Sequence, residues 1–240
     1  MKILNVVLPA LLLAFIFIHD SFCRQTLLPD NTVNDESMTV SDILKGMNTS
    51  AEIFNQTLEN LQVTRTIVFK SAVLGEAKIT KQIQFHRPDI IEEKILQQEK
   101  KEQSGVHMNI NDSVSCAWFI DPLVSSLSLE NYDIRLMGTE TVNEHMAYVL
   151  KVKPKNKKDS SIKGDLWIDV RDLVPIKYEG TPLEKIDEKS AKGKQLIEYE
   201  KIDDTYWLPV LNRWEARWVL MIKMVKETTF SAYKVNIEFN

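Results

Sequence analysis

A chain of 240 residues with 30 Lys and Arg against 34 Asp and Glu carries a net charge of −4, which leaves no electrostatic footprint for nucleic acid. With 44% hydrophobic residues it is long and apolar enough to bury one sizeable core. Its only cysteines are Cys23 and Cys116, so it is not a disulfide-stapled secreted scaffold.

The amino terminus comes first. Lys2 precedes an apolar run from Ile3 to Ile18, broken only by Asn5 and Pro9. That run is shorter than the ~20 apolar residues that cross a bilayer. Ser21-Phe22-Cys23 places small residues at positions −3 and −1 of a cleavage site. Together these are the parts of a secretory signal peptide over residues 1–23; the alternative is an uncleaved membrane anchor. Asp20 stands where a lipoprotein signal wants Leu, and Phe22 where it wants a small residue, which argues against a lipidated Cys23. Cleavage removes Lys2 and Asp20 together, so the net charge is unchanged, and Cys116 is left without a partner. Sequons at Asn48, Asn55 and Asn111 keep a eukaryotic secretory route open.

Residues 24–38 are polar and aperiodic, and read as a flexible linker. Ile43, Leu44, Met47, Ala51, Phe54, Leu58 and Leu61 then fall at the spacing of one apolar helical stripe. Thr39 with Asp42 approximates a capping box at its start. Gly46 weakens the propensity, but packing of the stripe decides helix stability. Ile43, Met47, Phe54 and Leu58 are expected on the concave side of a sheet, lining or plugging a cavity.

Beyond the helix the chain alternates with period two: Ile67 and Phe69; Ile79, Ile83 and Phe85; Tyr148, Leu150 and Val152; Leu166, Ile168 and Val170, with Trp167 and Asp169 on the opposite, solvent-facing side; Ile197 and Tyr199. Trp214, Ala216, Trp218, Leu220, Ile222 and Met224 read as one face of a long strand, and Tyr233, Val235, Ile237 and Phe239 as one face of the last. Gly138-Thr139, Asn143-Glu144, Pro154 to Ser161 and Asp203-Asp204 read as turns. The pattern predicts antiparallel sheet with one face in the core and one in water. With no strand–helix–strand rhythm, a parallel α/β fold is disfavoured. By pattern alone, the helix either plugs a concave sheet or joins a closed barrel or sandwich filled with side chains.

Chemistry is poorly signalled. The seven glycines lie at least 13 residues apart, so no glycine-rich phosphate loop is present. His86, His107 and His145 show no metal-ligand spacing, and no cofactor is expected. Cys116 belongs to an alternating face of Val114, Cys116, Trp118 and Ile120, where a thiol is a small buried hydrophobe. The expectation is a non-enzyme, with a hydrolase as a remote alternative.

The order of several short motifs resembles the LolA-like, outer-membrane lipoprotein-sorting family. Phe85-His86-Arg87-Pro88 resembles the basic-Arg-Pro step that closes an early strand there. Trp118-Phe119-Ile120-Asp121-Pro122-Leu123 resembles its aromatic strand ending in Asn/Asp-Pro. Tyr132 to Glu140, then Ala147-Tyr148-Val149-Leu150 and Lys153-Pro154-Lys155, resemble its Y-x-x-x-x-x-G-x-E…AY-x-L…P-K pattern. Leu166 to Asp169, Leu173 to Glu179, Tyr206-Trp207-Leu208-Pro209 and Phe230 to Val235 continue the likeness to the end of the chain.

The resemblance implies a mainly β protein with helices (α+β), over residues 39–240. Its single strongly curved antiparallel sheet would form an unclosed half-barrel, with the amino-terminal amphipathic helix and short lid helices on the concave side. It implies a periplasmic, monomeric carrier that binds lipoprotein acyl chains or another lipid without covalent chemistry. A membrane-protein donor or acceptor in the envelope would be its partner. Relatives of this fold also serve as regulatory sensors, as in the amino-terminal domain of RseB, and that alternative stands beside the carrier. The ligand cavity is expected to use Ile43, Met47, Phe54, Leu58, Trp118, Ile120, Trp214, Trp218, Leu220 and Ile222. Arg87 matches the family's latch arginine, which holds a lid through backbone carbonyls; Leu123–Leu129 and Pro182–Gly193 are the candidate lids here.

Overall fold

The computed structural model describes residues 38–73, 75–87, 90–102, 127–156, 162–181, 193–217 and 222–237. Its first element is helix α1 (Val40–Thr57). Thr39 caps it: the Thr39 hydroxyl accepts from the Asp42 N–H at 3.2 Å, and the Asp42 carboxylate accepts from the Thr39 N–H at 3.2 Å. Two otherwise orphaned donors are thereby satisfied. The helix ends at Leu58, whose backbone is extended, three residues earlier than the apolar stripe suggested. Leu61 continues the spacing only because it sits on the inward face of the first strand.

That strand, β1 (Asn60–Ser71), pairs with β2 (Gly75–His86), which pairs with β3 (Ile90–Glu102). A second run comprises β4 (Tyr132–Val142), β5 (His145–Pro154), β6 (Gly164–Asp169), β7 (Pro175–Gly180), β8 (Lys194–Ile202), β9 (Tyr206–Arg217) and β10 (Lys223–Val235). β1 pairs antiparallel with β10, which joins the two runs into one ten-stranded sheet of order β3-β2-β1-β10-β9-β8-β7-β6-β5-β4. β3 and β4 lie at opposite edges. The sheet is antiparallel and not closed into a barrel, an open half-pipe with α1 on its inner face.

Curvature follows from what α1 touches. At about 1.5 Å per residue the helix is roughly 27 Å long, whereas ten flat strands about 4.8 Å apart would span roughly 43 Å. Yet its first half packs on one side of the sheet and its end on the other. Ile43, Leu44 and Met47 share a cluster with Leu150, Leu166, Ile168, Tyr178 and Ile197 on β5 to β8. Leu58, with Phe54 against it, belongs to a second cluster with Val63, Phe85, Tyr206 and Phe230 on β1, β2, β9 and β10. A coiled sheet wrapped around the helix satisfies both.

Three strand-level expectations are corrected. The face Trp214 to Met224 is not one strand: β9 ends at Arg217, β10 begins at Lys223, and Met224 pairs with Ala216. Period two persists through such a hairpin, and the intervening Trp218 to Ile222 contains no Gly, Pro, Asn or Asp to announce a turn. Gly138 is not a turn either. It lies inside β4 at φ +130, where the register with β5 slips between Leu136 and Gly138, so it forms a bulge in an edge strand. Finally, Trp167 and Asp169 do not face water. Trp167 packs with Ala147 and Ile176 on the outer face, and the Lys177 ammonium stands 4.6 Å over its ring. Among the described residues α1 is the one helix, and most of the candidate lid residues lie outside them.

Candidate ligand-binding site

Two turns at one rim of the half-pipe converge on α1. The β6–β7 turn is organised by Asp169, whose Oδ1 accepts from the N–H groups of Arg171 at 2.8 Å and Asp172 at 2.7 Å. This is the local bonding by which Asp favours turns over regular structure. Leu173 then sits at φ +51, donating its N–H back to the Asp169 carbonyl at 3.0 Å. The turn docks on the helix in two ways. Ser50 Oγ donates to the Asp172 carbonyl at 2.7 Å. The Leu173 side chain lies over Gly46, where an added Cβ would meet its Cδ1 at 2.2 Å. The glycine that weakens α1 is thus what lets the turn approach.

The β8–β9 turn uses Asp203 and Asp204 at φ +50 and +52, the mirror-image pair that matches strand twist in tight hairpins. It sets Tyr206 and Trp207 at the start of β9. Tyr206 stacks edge-on against Phe54, centroids 5.8 Å apart, and its hydroxyl donates to the Thr57 carbonyl at 3.0 Å. Asn236 Nδ2 donates to the same carbonyl at 2.9 Å. The carboxyl end of the helix is thereby tied to β9 and to the end of β10.

Between α1 and these turns lies a cavity of about 360 Å³. Met47, Ala51, Ile53 and Phe54 line it from the helix, and Val174, Pro175, Tyr199, Tyr206 and Trp207 from the sheet. Its volume and predominantly apolar wall fall in the range of small-molecule sites. One corner is polar. Lys201 Nζ and Trp207 Nε1 each donate to Asp172 Oδ2 at 2.7 Å. Burial pushes the Asp172 carboxyl up, but the Lys201 and Trp207 hydrogen bonds and the nearby Lys201 and His145 hold it below the usual carboxylate value. The His145 ring packs edge-on against Trp207 at 4.8 Å, and its Nδ1 stands 3.4 Å from Asp169 Oδ2.

Of the residues singled out from sequence, Met47 and Phe54 line this cavity. Ile43 and Leu58 are fully buried in the two flanking clusters and do not line it. Trp214 is buried elsewhere, with Ala216 and Met224, and Ile222 packs against that group. Its Nε1 has no hydrogen-bond partner among the described residues. Trp118, Ile120, Trp218 and Leu220 lie outside the described residues. Arg87 holds a backbone carbonyl, though in neither candidate lid: its Nε donates to the Leu58 carbonyl at 2.6 Å and its Nη2 reaches Asn55 Oδ1 at 3.4 Å. Its own N–H donates to the Glu59 carbonyl at 3.0 Å. It is a clasp on the end of α1. Asp172 with the turn that carries it, and Lys201 near the end of β8, escape sequence reasoning, because single polar residues at strand ends have no periodic signature. Asp203-Asp204 is the available clue, since a tight turn there puts Tyr206 and Trp207 at a rim.

A family model described as "-like: Uncharacterized protein" matches residues 121–238, which contain β4 to β10. No curated protein matches. Among solved structures the chain is similar to the LolA superfamily protein NE2245 of Nitrosomonas europaea, at 16% identity and a TM-score of 0.40, covering 84% of this chain and 95% of that one. It is also similar to an outer membrane lipoprotein-sorting protein domain of Vibrio parahaemolyticus, at 14% identity and a TM-score of 0.42, covering 82% and 93%. A third similarity is to the MucA/MucB complex of Pseudomonas aeruginosa, at 12% identity and a TM-score of 0.26, covering 82% and 94%. No helix among the described residues is long and apolar enough to cross a membrane.

Proposed function

We propose that this chain is an exported, non-enzymatic carrier that holds part of a lipid, such as an acyl chain of a lipoprotein, beneath α1. Residues 1–23 direct export to the periplasm and are removed, residues 24–38 tether, and the half-pipe binds. The observation that carries this reading is the apolar cavity between α1 and the β6–β7 and β8–β9 turns. Burying hydrocarbon there is favourable by about 0.8 kcal/mol per methylene, which suffices for reversible uptake with no covalent step. Met47 and Phe54 supply the helix wall, and Arg87 clasps the helix end that closes one side.

The test uses N-phenyl-1-naphthylamine, an apolar fluorophore, with the mature chain. Saturable binding is expected, with one probe per chain. Ala51→Phe, which places a ring in the cavity, should abolish most of it while leaving the circular dichroism spectrum intact. Probe uptake no greater than that of an ordinary folded protein, or uptake indifferent to Ala51→Phe, would overturn the proposal.

A further inference from the structure

The polar corner of the cavity narrows the class of ligand, provided that the binding reading above holds. At about 30 Å³ per atom, the share of a water molecule in the liquid, 360 Å³ holds on the order of a dozen non-hydrogen atoms. That is one short stretch of hydrocarbon and a small head, not several chains side by side. The head has a place to go. Lys201 enters the cavity wall from β8, and Asp172 is its one partner among the described residues. An ammonium carries three donors, so two are available to an incoming acceptor. Asp172 is in the opposite condition: one oxygen already accepts from both Lys201 and Trp207. Ser50, Thr57 and Thr205 add hydroxyls to the lining, and the Thr57 hydroxyl is committed to the Ile53 carbonyl at 2.9 Å.

We infer that the site selects a single-chain amphiphile with an anionic head, its tail on Met47 and Phe54 and its carboxylate or phosphate on Lys201. Asp172 and Trp207 act as positioning residues. They fix the Lys201 side chain across the cavity corner instead of letting it trail into water, so a ligand anion meets an ordered cation. A cationic head would have to displace Lys201 from the carboxylate and would stand beside the displaced ammonium. A neutral head would use a single donor. A charge-assisted hydrogen bond in a partly buried corner corresponds to roughly a tenfold preference or more over a neutral acceptor.

The experiment displaces bound N-phenyl-1-naphthylamine from the mature chain with decanoate, decanol and decyltrimethylammonium. These share one tail and differ in head charge. Decanoate should displace the probe at a concentration roughly tenfold lower than decanol, with decyltrimethylammonium weakest. Lys201→Gln should bring decanoate to the level of decanol, with decanoate losing far more than decanol does, and Lys201→Arg should restore the preference. Monodecyl phosphate, with the same tail, tested alongside separates a phosphate head from a carboxylate. Equal displacement by all three heads, an order unchanged by Lys201→Gln, or a preference for the ammonium would overturn the inference and leave the apolar cavity standing. Failure of the probe itself to bind would instead remove the binding reading on which it rests.

Discussion

Replacing Gly46 by Ala sets two well-understood effects against each other, and the structure decides the sign. In the interior of an exposed helix Ala is favoured over Gly by about 1 kcal/mol. Here the new Cβ would lie 2.2 Å from Leu173 Cδ1 and 3.3 Å from its Cβ and Cγ. Rotating the end of the leucine relieves only the first contact. The contact with Cβ is fixed by a backbone at φ +51, held where the Asp169 carbonyl accepts from the Leu173 N–H and its carboxylate from the Asp172 N–H. Overpacking of this kind costs about 1–3 kcal/mol, so after the helix gain Gly46→Ala should destabilise the protein by about 1 kcal/mol. For a domain near 200 residues that is a fall of about 2–4 °C in Tm. The decisive measurement is a double-mutant cycle by urea unfolding of the mature chain. With Leu173→Gly already in place the clash is gone, and Gly46→Ala should then stabilise by about 1 kcal/mol. If Gly46→Ala stabilises both backgrounds alike, the turn does not bear on the helix as described, and the wall of the cavity must be redrawn.

Other expectations are as definite. Arg87→Leu removes the 2.6 Å bond to the Leu58 carbonyl and should cost about 1.5–3 kcal/mol. Hydrogen exchange should speed up in the last turn of α1 before anywhere else, and a uniform rise across the sheet would contradict the clasp. Asp169→Ala strips two turn N–H groups of their acceptor at a buried position and should destabilise by about 2–3 kcal/mol. Probe affinity should fall with it, since the β6–β7 turn forms one cavity wall; unchanged affinity at full folding would count against that turn. Because the Asp172 carboxyl is held below its usual value of 3.8, its contribution to stability is present above that value and is lost as pH falls through the lower folded value. Asp172→Asn should therefore flatten the acid limb of the stability curve below about pH 4. An identical acid limb in both proteins would show that Asp172 gains nothing on folding.

How much of the fold and the site is legible in the sequence depends on the range of the interaction that settles each feature. The capping box at Thr39, the apolar face of α1 and the inward alternation of β1, β2 and β5 are set by neighbours a few residues away, so the sequence alone determined them. The same holds for the hairpins at Asn143-Glu144 and Asp203-Asp204, whose positive φ values Asn and Asp tolerate well. The family-like order of motifs carried the open half-barrel. Other features depended on what came to lie opposite. Gly46 reads as a flaw in a helix until Leu173 is placed over it. Trp167 alternates like a solvent-facing residue until Ala147 and Ile176 pack beside it. Trp214 to Met224 keeps one period through a reversal, because Met224 folds back onto Ala216 with its side chain on the same face. Only tertiary structure separated the helix residues that meet the cavity, Met47 and Phe54, from those sealed into the clusters on either side, Ile43 and Leu58. All four lie on one apolar stripe, and a stripe records that a face is buried but not whether side chains or empty space lie against it. The polar corner was wholly hidden for the same reason. Asp172 and Lys201 are 29 residues apart in sequence, and only the pairing of β7 with β8 brings their charges within 2.7 Å.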